Sequence, residues 1–150
     1  MKKFVCFALV AITLILCLSS CAMNYDSTSL KSKLEKAGYK VIEYTKSAFE
    51  GAQHGVALKT SEMEGLEKVL YAYKSADSEV KDGILILVFD SSKNAEKYGS
   101  TNDGQATETI SLLNAFGRMN APESETSVFG TANNLIWAGS SAAKTAAGIQ

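Results

Sequence analysis

Residues 83–90 read GILILVFD, and this stretch decides the fold of the chain. The six residues from Ile84 to Phe89 are all apolar and lack the alternation of a strand that has one face in water. The run therefore predicts a strand that lies in the middle of a sheet with both faces buried. Helices are expected on one face, and the other face needs a cover from the first helix, from the segment after residue 104, or from a partner.

The segment before this strand, residues 65–75 (GLEKVLYAYKS), fits two structures. Ser61 and Glu64 match a helix capping box, whereas Tyr71 and Tyr73 alternate as on one face of a strand. We favour a strand, because the polar residues that follow would join it to the central strand as a hairpin.

Further elements are predicted on both sides of this hairpin from periodicity, capping residues and glycines. Upstream, we expect a helix at Ser27–Ala37 ended by Gly38, a strand at Tyr39–Thr45, a loop at Ser47–Gly55 and a short edge strand at Gly55–Thr60. Downstream, we expect a short helix capped by Ser91 or Ser92 with Ala95 and Tyr98 on its inner side, a helix at Gln105–Phe116 ended by Gly117, a hairpin of residues 126–131 and 134–138, and a final helix at Ala142–Ala147 capped by Ser140 or Ser141.

The predicted fold class is α+β, an antiparallel sheet of about four to six strands with helices packed on one face. Residues 86–95 (ILVFDSSKNA) and 135–144 (LIWAGSSAAK) share a pattern in which an apolar strand runs through two serines into a helix. A duplicated strand–strand–helix unit, the connectivity of a circularly permuted ferredoxin-like fold, would explain this similarity. Chance similarity is the competing explanation, because few of the paired positions are identical.

The first twenty-one residues have the features of a secretory signal. Lys2 and Lys3 precede residues 4–18 (FVCFALVAITLILCL), which carry no charge and are too few for an ordinary spanning helix. The run ends in Leu18-Ser19-Ser20-Cys21 instead of a cleavage site of the A-x-A kind.

This four-residue box resembles the lipobox of bacterial lipoproteins, in which an aliphatic residue precedes two small residues and a cysteine. The resemblance covers only residues 1–22 and implies cleavage between Ser20 and Cys21, with a diacylglyceryl thioether on Cys21. It divides the chain into a signal peptide (1–20), a lipidated cysteine with a short tether (21–29) and one α+β domain (30–150). Lipid on Cys21 would hold the domain outside the cell membrane, or at the outer membrane of a cell that has two, because Ala22 follows the cysteine.

Composition narrows the chemistry of the domain. Without residues 1–20 the chain has 130 residues, with thirteen cationic and sixteen anionic side chains, so nucleic acid is not an expected partner. Cys6 and Cys17 would be removed with the signal peptide, and Cys21 would carry lipid, so the domain would have no free thiol. We therefore expect no disulfide, no cysteine-ligated metal and no cysteine nucleophile in the domain. No phosphate-binding or dinucleotide motif occurs, and we expect neither a cofactor nor a metal.

Two motifs invite a catalytic interpretation. His54 is the single histidine and falls in the expected loop, where a solvated side chain is the simplest prediction, and the sequence has no G-x-S-x-G motif to supply a serine partner. Ser141-Ala142-Ala143-Lys144 and Ser78-Glu79-Val80-Lys81 match S-x-x-K, but the partner motifs of serine β-lactamases are missing. We therefore expect no catalytic residues.

Acidic and aromatic residues remain as candidates for binding. Asp77, Glu79 and Asp82 lack the spacing of a calcium loop and are expected to be solvated. Tyr71, Tyr73 and Trp137 fall on predicted strands, where they either fill the core or form a binding surface for sugars, peptides or a protein.

The expected function is that of a lipid-anchored, extracytoplasmic lipoprotein whose small domain binds or associates without catalysis. Its expected partners are membrane lipid through Cys21 and an envelope protein or a second copy of the chain. The alternatives are a small envelope hydrolase that uses His54 or Ser141, and a carrier of an apolar ligand along the central strand.

Overall fold

The computed structural model describes residues 24–52, 54, 56–74, 81–100 and 104–150, without the side chains of residues 104 and 105. The helices are α1 (Ser27–Lys36), α2 (Lys46–Gly51), α3 (Ser92–Gly99), α4 (Gly104–Asn120) and α5 (Ser141–Ala147), with a 3₁₀ turn at Thr60–Glu62. The strands are β1 (Lys40–Tyr44), β2 (Leu66–Tyr73), β3 (Gly83–Phe89), β4 (Phe129–Ala132) and β5 (Leu135–Gly139). The structure confirms the α+β class.

The five strands form one antiparallel sheet in the order β1-β2-β3-β5-β4. β3 lies at its centre, where Leu85 is paired with Tyr71 of β2 on one side and with Ala138 of β5 on the other. Every residue of β3 is buried, as its unbroken apolar run predicts. Residues 66–73 form a strand, which settles the helix-or-strand question for this segment in favour of the hairpin.

Helices cover both faces of the sheet. Leu85, Leu87 and Phe89 of β3 pack with residues of α2, α3 and α4, whereas Ile84, Ile86 and Val88 pack with α1 and α5. The structure thus differs from the one-sided placement of helices, but it confirms the first helix as a cover of the second face, since a strand that is apolar on both faces requires an apolar layer on each side. The first helix supplies part of the second layer, together with α5.

The placement of the helices also bears on the duplicated unit. The order β2-β3-β5-β4 joins two hairpins through their second strands, as a repeated strand–strand–helix unit would. The helices that follow the two hairpins nevertheless lie on opposite faces, α3 against Phe89 and α5 against Trp137. Two equivalent copies would place both helices on the same face, so the arrangement departs from the permuted ferredoxin-like fold.

Three local predictions differ from the structure. Residues 46–51 form α2 instead of a loop, because the Thr45 hydroxyl accepts a hydrogen bond from the Ala48 N–H and Phe49 anchors the turn in the core. Residues 56–59 form no strand and lead into the 3₁₀ turn. Gly117 does not end α4, which continues to Asn120; a Cβ at Gly117 would overlap the Val128 carbonyl, so this glycine permits close packing.

Residues before residue 30, the predicted start of the domain, already make contacts with it. Asp26 caps α1 by accepting the Ser29 N–H, and Gly38 follows the helix with a φ of +86°. The Tyr25 N–H donates to Asn134 Oδ1 at 2.6 Å, and Asn134 Nδ2 donates to the Tyr25 carbonyl at 3.0 Å and to the Phe89 carbonyl at 2.8 Å. Tyr25 is thus fixed to the β3–β5 pair.

Candidate functional site

An aromatic cluster of Tyr44, Phe49, His54, Tyr71 and Tyr73 lies at the β1–β2 side of the sheet, on the face covered by α2 and α4. Tyr71 and Tyr73 are two residues apart on β2, so their rings project from the same face and stack with centroids 5.3 Å apart. The turn of α2 adds Phe49, whose ring meets Tyr44 edge-on at 5.8 Å. The Tyr71 and Tyr73 side chains remain partly exposed.

His54 lies inside this cluster and is not the solvated loop residue that the sequence predicts. Its Nε2 is 2.6 Å from the Tyr44 hydroxyl, and its ring centroid lies 4.6 Å from that of Tyr71 and 5.8 Å from that of Phe49. Burial lowers the pKa of the imidazole and favours its neutral form. The sequence offers no signal for these contacts, which depend on how the chain returns to β2 after α2.

A second cluster, the Asp82 network, consists of four residues next to strand ends. Tyr39 precedes β1, Lys74 follows β2, Asp82 precedes β3 and Ser140 follows β5. The Tyr39 hydroxyl donates to Asp82 Oδ1 and Oδ2 at 2.9 and 2.8 Å, and the Ser140 hydroxyl donates to Oδ1 at 2.5 Å. Lys74 Nζ lies 3.0 Å from Oδ2 and 4.7 Å from the centroid of the Tyr39 ring. The network links the ends of α1, β2, β3 and β5.

The network changes the ionisation of its members. Burial, together with the hydrogen bond to Asp82, raises the pKa of Tyr39 to about 12. Burial alone would raise the pKa of Asp82, but hydrogen bonds from Ser140, Lys74 and Tyr39 outweigh it and hold that pKa below its ordinary value. Asp82 is therefore an ionised carboxylate that is bonded to Tyr39, Lys74 and Ser140. It is not the solvated loop residue that the sequence predicts.

The residues of the proposed hydrolase are engaged elsewhere. The Ser141 N–H and hydroxyl both donate to Glu125 Oε2, at 2.7 and 2.9 Å, and Lys144 Nζ lies 5.2 Å from the centroid of the Trp137 ring. Ser140 rather than Ser141 caps α5, through the Ala143 N–H. These contacts do not join the serine to Lys144 or to His54, whose bonded partner is Tyr44.

The predicted aromatic surface separates into two parts. Tyr71 and Tyr73 lie together in the aromatic cluster, whereas Trp137 lies on the opposite face of the sheet, where it packs with α1 and α5 and is 5% exposed. Trp137 is thus a core residue beneath Lys144. Any surface formed by Tyr71 and Tyr73 has Ile42 as its apolar neighbour, since Ile42 is paired with Tyr71 and is 37% exposed.

Several sequence candidates lie outside the described residues, namely Ser20, Cys21, Asp77, Ser78 and Glu79. Within the described ranges, no group of three or more His, Cys, Asp or Glu side chains could hold a metal ion. Likewise, none of the helices that the structure describes is long and apolar enough to cross a membrane.

A small cleft separates residues 57–63 from α4. Its volume is about 100 Å³, and its lining includes Leu58, Met63, Tyr98, Thr109 and Leu112. Ligand pockets typically have volumes of roughly 300–1,000 Å³. The cleft is smaller than that range and has no β3 residue in its lining, so it gives no support to a carrier of an apolar ligand along β3.

Comparisons of the chain with protein-family models, with curated proteins and with solved structures find no match. The function must therefore be argued from the residues and their geometry.

Proposed function

We propose that this chain is a bacterial lipoprotein whose α+β domain is anchored outside the membrane by lipid on Cys21. The observation that carries the proposal is the sequence of residues 1–21, in which two lysines, an apolar run and Leu18-Ser19-Ser20-Cys21 follow one another at the spacing of a lipobox signal. One myristoyl chain gives only marginal membrane binding, whereas two or three chains on Cys21 would hold the domain almost permanently.

The test is the mass of the amino-terminal peptide from protein made in a bacterial host. We expect the purified chain to begin at Cys21 and to carry a diacylglyceryl group, and to fractionate with membranes until detergent is added. A Cys21→Ala variant serves as the matched control and should carry no lipid. An unmodified Cys21 thiol, or a chain that is released from cells without detergent, would contradict the proposal.

We further propose that the domain acts by binding and without catalysis, through the part of the aromatic cluster formed by Tyr71 and Tyr73. Three features support this assignment. The two rings are stacked and partly exposed, an exposed Ile42 extends the apolar area beside them, and the hydroxyl of Ser141 is bonded to Glu125 instead of to Lys144 or His54. Aromatic rings that present an apolar face beside a hydroxyl group are frequent at binding interfaces.

In-cell photocrosslinking tests this surface. A benzoylphenylalanine at Tyr73 should give a discrete adduct with an envelope component, and the same group at the exposed Lys93 of α3 should give none. Adding Tyr71→Ala should remove the adduct, because the stacked partner of the probe is lost. Equal labelling from both positions would contradict a binding surface at Tyr73.

The hydrolase alternative has a separate test. Ser141→Ala would abolish any function that depends on this hydroxyl, whereas a binding function at Tyr73 should survive, because Ser141 is bonded to Glu125 and not to the aromatic cluster. Complementation of a deletion strain by this variant distinguishes the two classes.

A further inference from the structure

The position of Tyr25 limits where the domain can sit relative to a lipid on Cys21. The Tyr25 backbone is held by Oδ1 and Nδ2 of the Asn134 side chain, a residue that is 3% exposed, and the Tyr25 hydroxyl accepts the Gln150 N–H at 3.2 Å. Three residues lie between Cys21 and Tyr25, and a fully extended chain spans at most about 3.6 Å for each of the four steps, so the lipidated sulfur lies within roughly 15–20 Å of this point. The surface around Tyr25 must therefore lie close to the bilayer.

The charges of the domain are unevenly distributed about this point. Residues 26–40, which contain α1, carry four lysines against two acidic residues, and residues 140–150, which contain α5, carry one lysine and no acidic residue. Residues 41–139 carry eight cationic side chains against fourteen acidic ones. The helices α1 and α5 themselves carry four lysines and one acidic residue, with Asp26 and Glu125 bonded in their first turns. The α1–α5 layer therefore has a small positive net charge, while the rest of the domain is acidic.

The outer side of this layer combines small residues on α5 with charged residues on α1. On α5 the exposed residues include Ala142 and Thr145, and Gly148 follows the helix. On α1 the exposed residues include Lys33 and Lys36, with the exposed Glu35 between them. Small uncharged residues beside lysines allow close approach to a surface that carries negative charge.

Two orientations are compatible with the short connection to Cys21. In one, the end of the sheet near Tyr25 points at the membrane. This end carries the exposed acidic side chains of Asp90 and Glu64, and Glu64 is paired with Lys97 Nζ at 2.7 Å. In the other, the layer of α1 and α5 lies flat on the membrane. Anionic headgroups favour the second arrangement, which presents lysines, over the first, in which an ion pair compensates one of the two acidic side chains.

We propose that the α1–α5 layer is the membrane-facing surface of the domain and that Lys33 and Lys36 contact anionic phospholipid headgroups. The inference rests on the proposed lipid anchor and adds an orientation to it. The aromatic cluster and the cleft lie on the opposite face of the sheet and so point away from the bilayer.

Single-cysteine labelling of the lipidated full-length protein in vesicles tests the orientation. The chain that begins at Cys21 has no other cysteine, and the sulfur of Cys21 is blocked by lipid, so one introduced thiol takes the label. Labels at Lys36→Cys and Thr145→Cys are compared with labels at Glu108→Cys on α4 and at Asp90→Cys. In phosphatidylglycerol-containing vesicles, we expect a water-soluble quencher to reach the labels at 36 and 145 several-fold less than the label at 108.

The charge contribution is tested by reversing Lys33 to Glu in the protein labelled at 145. Each lysine near an anionic membrane surface favours the orientation with the α1–α5 layer on the membrane on the order of fivefold. The reversal should therefore lower the ratio of quencher-protected to quencher-accessible label at 145 by at least that factor. Lys33→Arg should retain protection, and vesicles of phosphatidylcholine alone should show little protection in any variant.

Two results would overturn the orientation. Equal quenching at 36, 145 and 108 would show that the α1–α5 layer faces water, and protection at Asp90→Cys alone would show that the domain stands on its end. In both cases the protein would still float with the vesicles, so the anchor would stand. A protein that fails to float, with an unmodified Cys21, would instead overturn the anchor and the orientation together.

Discussion

Replacement of Asp82 by alanine tests whether the Asp82 network holds the sheet to its flanking helices. The change leaves the Tyr39 and Ser140 hydroxyls, in residues that are 4% and 1% exposed, without their acceptor. Each buried donor without a partner costs about 1–3 kcal/mol. The Lys74 ammonium contributes below about 1 kcal/mol, because its side chain is 43% exposed. We therefore expect the free energy of unfolding to fall by about 3 kcal/mol.

Urea denaturation followed by Trp137 fluorescence measures this loss. With an m-value of about 2 kcal/mol/M, a loss of about 3 kcal/mol lowers the midpoint by about 1.5 M. Glu43→Ala is the matched control, because it removes a carboxylate whose ion pair with Lys68 is partly exposed, and it should change stability by less than about 0.5 kcal/mol. A shift for Asp82→Ala that is no larger than that of the control would refute the reasoning.

The pH dependence of stability gives an independent check. The pKa of Asp82 is held below its ordinary value in the folded state, so its contribution is complete above about pH 4 and is lost as pH falls through the folded-state pKa. The pKa of Tyr39 is raised to about 12, so its contribution is complete below about pH 10 and is lost as pH rises from there towards 12. Both pH dependences should weaken in Asp82→Ala. If the loss of stability at acid and at alkaline pH is the same as in the unsubstituted protein, the result would count against the network.

Three further predictions concern other parts of the fold. Gly139→Ala should destabilise by more than about 2 kcal/mol, because its Cβ would overlap the backbone of β3, whereas Gly51→Ala in open space should be neutral or stabilising in thermal unfolding. Ile86→Ala and Leu87→Ala should each cost about 2–5 kcal/mol in chemical denaturation; a much smaller cost for one would show that its face of β3 is not a packed layer. Because burial lowers the pKa of His54, the folded state should lose stability as pH falls below about 6.5; His54→Gln should reduce this slope, and an unchanged slope would refute burial as its cause.

The elements that the sequence predicted well are those whose signals are local. The unbroken apolar run of β3, the glycine after α1 and the serine before α3 each act through neighbouring residues, and each lies where it was expected. The α2 turn was missed because six residues leave too little periodicity, and its one buried residue is Phe49. The second helical layer was underestimated, although β3 required it.

The candidate sites could not be predicted because their contacts are long-range. Tyr39 and Ser140 meet Asp82 across sequence separations of 43 and 58 residues, and no short motif encodes such a meeting. The position of Asp82 directly before a fully buried strand was the one available clue. For the aromatic cluster, the i, i+2 spacing of Tyr71 and Tyr73 predicted a shared face, whereas the inclusion of His54 depended on the path of residues 52–66.

The attachment of Tyr25 to Asn134 has a mechanical consequence. Force applied from the amino-terminal side reaches the domain at Tyr25, and the amide of Asn134 transmits it to the Phe89 carbonyl in the central strand rather than to an edge strand. Tension would first have to rupture these polar contacts before it could peel α1 from the sheet. The contacts of Tyr25 can therefore resist pulling from the amino-terminal side, as the proposed lipid anchor on Cys21 would require.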